Sequence, residues 1–98
     1  MNYNDYTIYI MSNFTRTVLY IGASSNLIGR VWQHKNNLVE GFTKKYNCHY
    51  LIYYESLETA GEMVNRERQV KNYSRKKKQV MILKFNPTLK DLYEDLIK

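Results

Sequence analysis

The chain has 98 residues and a mass of 11.8 kDa, with 15 Lys and Arg against 9 Asp and Glu, a net charge of +6 and a pI near 9.4. A hydrophobic fraction of 44% with 24% charged residues excludes a disordered chain, and no apolar run nears the roughly 20 residues that span a bilayer. One cysteine, Cys48, excludes an internal disulfide framework and a cysteine-rich zinc site, so a reducing cytoplasm is the expected compartment.

Met1-Asn2-Tyr3-Asn4-Asp5 carries no basic region leading into an apolar stretch, so no secretion signal is expected. Residues 6–11, Tyr-Thr-Ile-Tyr-Ile-Met, are β-branched and aromatic and predict a strand. Residues 12–16 are turn-like, and residues 17–22, Thr-Val-Leu-Tyr-Ile-Gly, predict a second strand that closes a hairpin. Ser24, Ser25 and Asn26 offer N-cap side chains for a helix running to about Leu38, with Leu27, Val31, His34 and Leu38 on one stripe. Gly29 inside it costs about 1 kcal/mol against Ala, and Gly41 closes or follows the helix. Residues 49–54 predict a third strand, with Cys48 a small residue at its edge. From Thr59 the period turns helical, and Ala60, Met63, Val64, Glu67, Val70 and Lys71 share a face. Ser74 can cap a further helix through Phe85 that uses Val80, Met81, Leu83 and Phe85 as apolar contacts, and Asn86-Pro87 breaks it. Residues 89–97 predict a last helix. With no linker or repeat, the expectation is one domain over residues 1–98, ordered β-β-α-β-α-α with the terminal helix added. That is an α+β or mixed α/β sandwich around a small three-stranded sheet flanked by helices.

The charge is concentrated. Residues 66–84 hold eight basic side chains and one acidic, or +7, and the rest of the chain carries −1. Arg66, Arg68, Lys71, Arg75, Lys76, Lys77 and Lys78 are therefore the candidate nucleic-acid-binding residues, because a dense positive window with aromatics nearby suits a polyphosphate. The plain alternative is a solvated helix face. A membrane surface is disfavoured, since the basic run lacks an opposite face rich in Trp and Phe.

Five residues stand apart from this frame. Glu67 lies on the apolar face of its helix, where a carboxylate is costly unless it is paired, protonated or bound to a cation. Either Arg30 or a lysine pairs it, or it holds a metal such as Mg²⁺, which takes one or two protein carboxylates and completes its shell with waters and phosphate. Arg30 and His34 are four apart and project together. Arg can hold a phosphate through two parallel hydrogen bonds, and His can move a proton; the alternative for His34 is a satisfied core histidine. Tyr9 and Tyr20 sit mid-strand in the hairpin, where their hydroxyls could converge with Arg30 and His34.

Taken in order, these residues resemble the GIY-YIG nuclease family. The two strand triplets stand as Thr7-Ile8-Tyr9 and Tyr20-Ile21-Gly22, followed by Arg30, His34 one turn on, and Glu67 on a later helix. The stretches at residues 39–47, 66–71 and 74–78 are similar to those of small stand-alone bacterial members, and the likeness runs from about Tyr6 to Leu92. The resemblance implies an antiparallel three-stranded sheet and hydrolysis of DNA phosphodiesters with one divalent metal, Mg²⁺ or Mn²⁺, and no small-molecule cofactor. It implies Tyr9 as general base or water-positioning group, Tyr20 as the second phenol, Arg30 as phosphate clamp, His34 as proton-transfer partner and Glu67 as metal ligand. Asn86 corresponds loosely to a supporting asparagine in several members. Thr7 replaces the first triplet's glycine, and Gly29 stands where many members carry a second basic residue. The expected function is a metal-dependent endonuclease, selective for structure such as branched or damaged DNA rather than for sequence. The alternatives are a nucleic-acid-binding module that cleaves weakly or not at all, and a plain protein-interaction domain. RNA stays open as the polymer.

Overall fold

The computed structural model describes residues 6–98, so the reading of Met1 to Asp5 lies outside it. β1 (Tyr6–Ser12) is the central strand, with β2 (Leu19–Ser24) on one side and β3 (Tyr50–Leu57) on the other, both antiparallel to it. The sheet order is β2-β1-β3. β1 is buried along almost its whole length because it is covered on both faces, which explains its unbroken apolar run. A register shift at Ile10/Met11 bends the pairing with β3.

One face of the sheet, with Tyr9, Met11 and Leu51, packs on Leu27 and Val31 of α1 (Leu27–Lys35) and on Leu92 and Leu96 near the C-terminus. The other face, with Ile8, Ile10, Ile21 and Ile52, packs on Val70 of α3 (Ala60–Lys71) and Ile82 of α4 (Arg75–Phe85). The result is the expected α+β arrangement, a three-stranded antiparallel sheet flanked by helices. Among the described residues, no helix is long and apolar enough to cross a membrane.

Several boundaries differ from the sequence reading. β2 begins at Leu19 rather than Thr17, because the Asn13 side chain accepts from the Thr17 and Val18 amides (2.9 and 3.0 Å) and draws them into the turn. α1 stops at Lys35: Asn37 takes a left-handed φ of 56° and the Leu38 amide folds back to the Gln33 carbonyl. Leu38 is consequently 60% exposed and lies off the core stripe. A single turn, α2 (Phe42–Lys45), follows where no helix is expected. β3 runs from Tyr50 to Leu57, and Cys48 is wholly buried before it, its thiol pKa raised by that burial.

On α3, Val70 is the buried residue and Val64 is exposed. On α4, Ile82 is the buried contact, while Val80 and Leu83 are exposed and Phe85 lies against the rings of Tyr53 and Tyr54. The predicted last helix shortens to α5 (Tyr93–Leu96), since Leu89 sits at a left-handed φ of 54° and cannot continue a helix. The predicted caps form. Asn26 accepts from the Gly29 amide at 3.1 Å and Ser74 caps α4, while Thr59 adds a capping box with Glu62 that the sequence reading did not assign. A Cβ on Gly29 would lie 2.5 Å from the Asn26 amide nitrogen, so this cap excludes a larger residue there unless Asn26 moves.

Candidate active site

Tyr9 stands on β1 directly opposite Gly22 of β2, and Tyr20, two residues before Gly22, projects from the same face. The tyrosine rings are therefore diagonal neighbours, 6.4 Å between centroids. The glycine of the second triplet has a steric reason. A Cβ at Gly22 would lie 2.5 Å from Tyr9 Cζ and 2.6 Å from its hydroxyl, so any side chain there would displace the phenol. Thr7 meets no such constraint. It is buried and its hydroxyl donates to the Ser24 carbonyl at 2.8 Å, so the missing glycine of the first triplet leaves the strand pairing intact.

α1 leaves β2 and lays His34 over this pair. The imidazole centroid is 5.6 Å from Tyr9 and 5.5 Å from Tyr20. His34 Nε2 is 2.8 Å from the Tyr9 hydroxyl, and its Nδ1 is 2.9 Å from Thr43 Oγ1. The residue is only 1% exposed, so both ring nitrogens are satisfied inside the protein. Burial, followed by the Arg30 charge, lowers the His34 pKa to about 4. The ring is neutral at pH 7 and holds one proton for two hydrogen bonds, so one nitrogen donates and the other accepts.

Burial pushes the Tyr9 hydroxyl up to about 12. The Arg30 guanidinium, one turn before His34, pulls it down, and Tyr20 and the Glu67 charge push it further up. Arg30 is half-buried and also donates to Gln33 Oε1 at 3.2 Å. Glu67 comes from α3 and acts on Tyr9 through its charge. Its side chain is 24% exposed rather than buried in the core, and Lys71 Nζ lies 3.3 Å from Oε2. Arg30, Tyr20 and Glu67 thus each act on the Tyr9 phenol, and Arg30 acts on His34 as well. The cavity of about 290 Å³ lined by Arg16, Leu19, Ile52, Arg75, Ile82 and Leu89 includes none of them.

Among the described residues, no three His, Cys, Asp or Glu side chains gather as a metal cage. The one carboxylate of the candidate set, Glu67, is part-exposed and reaches Tyr9 through its charge alone. A single carboxylate suits a hydrated Mg²⁺ or Mn²⁺ and does not suit zinc, which takes three or four N or S ligands.

Residues 5–80 match the GIY-YIG catalytic domain. The chain belongs to the GIY-YIG family. UPF0213 proteins of Staphylococcus aureus strains Mu3, Mu50 and N315 are each 34% identical over 64 residues, covering 65% of this chain and 78% of theirs. No solved structure matches the chain. The GIY-YIG assignment places the protein in a family of nucleases, whose substrates are nucleic acids.

The basic window resolves into distinct roles. Arg66 turns inward: its guanidinium grips Glu55 through Nε (3.0 Å) and Nη2 (3.2 Å) and reaches Gln69 and the Tyr73 hydroxyl. Lys71 pairs with Glu67, Arg75 donates to the Thr17 carbonyl at 2.7 Å, and Lys77 lies over the Tyr73 ring at 4.1 Å. Arg68 and Lys76 are exposed and Lys78 is half-buried. Asn86 is buried and bridges the chain. Its amide donates to the Ile52 and Lys90 carbonyls (3.1 and 2.9 Å), and its Oδ1 accepts from the Lys90 amide. Thr43 is the residue that sequence reasoning gave no role. A single helical turn has too few residues to show a period, so nothing marked its hydroxyl as the partner of His34.

Proposed function

We propose that this GIY-YIG protein is a divalent-metal-dependent endonuclease that hydrolyses DNA phosphodiester bonds by structure rather than sequence. The observation that carries the reading is the 2.8 Å contact between the Tyr9 hydroxyl and a neutral, buried His34, with Arg30 and Glu67 acting on the same phenol. A phenol at about 12 does not ionise at neutral pH, so Tyr9 is not a free base. It can pass a proton on. With the imidazole proton on Nδ1 and donated to Thr43, His34 Nε2 accepts from the Tyr9 O–H. A water attacking phosphorus then gives its proton to the Tyr9 oxygen as Tyr9 gives its own to Nε2. The new P–O bond forms as the bond to the departing sugar oxygen breaks, and that oxygen takes its proton from solvent. Arg30 neutralises a non-bridging oxygen. Tyr20 holds the ring and the water in line. Glu67 would hold Mg²⁺ or Mn²⁺, which when bound supplies positive charge at the scissile phosphate. Lys71 must then release the carboxylate. The exposed cations of α3 and α4 hold the DNA through phosphates, which fits selection by shape and predicts affinity that falls steeply with salt.

The test is a panel of labelled single-stranded, duplex, flap and junction DNA with Mg²⁺ or Mn²⁺, using the wild type and Glu67→Ala. The wild type should cut at least one structure, and the variant should bind it and leave it whole. No cutting of any structure by excess wild type overturns the proposal in favour of a binding module.

A further inference from the structure

We propose that Phe42 and Tyr46, on and just after α2, form a stacking ledge for one unpaired base of the DNA strand beside the candidate active site, a reading that rests on the proposed function for its substrate. The Phe42 ring lies 6.0 Å from Tyr20 and only 28° from parallel, and Tyr46 follows at 4.7 Å from Phe42. The aromatic series that begins at Tyr9 and His34 therefore continues outward to the surface. Its last two members are half open to water, 43% for Phe42 and 41% for Tyr46. The ledge is fixed in place, because Thr43, next to Phe42 in sequence and on the same helical turn, is the residue that hydrogen-bonds His34. Its distance from the reacting atoms is therefore set by the same turn that orients the imidazole.

Two half-exposed rings, Phe42 stacked on Tyr20 and Tyr46 tilted 49° from Phe42, stand one step from a candidate phosphate-cleaving centre and suit a flat aromatic ligand. Cations beside them favour a nucleotide over an apolar peptide. Lys45 Nζ lies 5.3 Å from the Tyr46 ring, and Arg30 stands at the other end of the series. A duplex hides the faces of its bases within the stack, so the ledge serves a strand with at least one base unpaired. It adds affinity without reading sequence, since every base has a π-face.

The test reads binding alone, by fluorescence anisotropy in EDTA, with a labelled single strand and the same strand carrying abasic sites at its centre. Phe42→Ala and Tyr46→Leu should each weaken the intact strand by about 5- to 150-fold and leave the abasic strand unchanged. Phe42→Trp should bind the intact strand as the wild type does. Equal weakening of intact and abasic strands, or no weakening of either, overturns the ledge. Circular dichroism confirms folding, and Tyr46→Leu carries the same comparison should Phe42→Ala not fold. A flat result in an enzyme that cleaves removes only the ledge. A clear base-dependent result in a protein that never cleaves supports the ledge and removes the nuclease.

Discussion

His34 should make the protein acid-sensitive by a predictable amount. In the unfolded chain its imidazole protonates near 6.5, and in the folded chain near 4. Between those values the unfolded state binds more protons, so stability rises with pH across the interval. The His34 contribution is complete above pH 6.5 and is lost as pH falls through 4. A fall from 6.5 to about 4, at about 1.4 kcal/mol per pH unit, is worth roughly 3 kcal/mol. Little screening reduces it, because the residue is almost wholly buried. A domain of this size is stable by about 5–15 kcal/mol, so the effect is large. The perturbation is His34→Gln, which keeps a polar side chain facing Tyr9 and Thr43 and removes the titration. Urea unfolding at about pH 7.5 and about pH 4 gives the stability change of each protein. Carboxylates contribute to both and cancel in the comparison. The wild type should lose roughly 3 kcal/mol more than the variant on acidification. Equal losses would refute a buried neutral histidine at this position.

Three further outcomes follow from the same geometry. Thr43→Val leaves a ring nitrogen of His34 without its partner and should cost about 1–3 kcal/mol in chemical denaturation, whereas Thr43→Ser should recover most of it. Asn86→Ala strands the buried Ile52 carbonyl and the turn at Lys90; it should destabilise by about 2–4 kcal/mol while cleavage per folded molecule stays at the wild-type rate. Arg66→Ala leaves Glu55 without its guanidinium and should lower the unfolding midpoint with little change in DNA affinity, while Lys76→Ala with Arg68→Ala should weaken binding and flatten its salt dependence by about one unit of slope for each phosphate no longer neutralised.

The sheet and its main helices were legible because their signals are local and periodic. Tyr6 to Ser12 alternates between two cores, and the caps at Asn26 and Ser74 form where the sequence places them. Four of the five candidate residues were legible in pairs through spacing: a strand period of two puts Tyr20 diagonal to Tyr9, and a helix period near four puts Arg30 beside His34, whereas the full set with Glu67 rests on the family resemblance. What the sequence left hidden depends on tertiary contacts. Nothing local distinguishes Arg66, held by Glu55 on β3, from Arg68, which faces water. Asn86 carries a signal for breaking α4, but its bond to Ile52 spans 34 residues. Periodicity puts Glu67 on an apolar face because Met63 and Val70 share its stripe. The helix instead lies with Val70 inward, and the carboxylate sits at the rim beside Lys71.

One oxygen atom decides the mechanism. Tyr9→Phe removes the hydroxyl that lies 2.8 Å from His34 Nε2 and keeps the ring that packs over Gly22. Single-turnover cleavage of the best DNA structure, at matched occupancy, should slow by about 100- to 10,000-fold, the usual worth of a positioned proton-transfer group, with DNA affinity unchanged. Cleavage by Tyr9→Phe at the wild-type rate would contradict it.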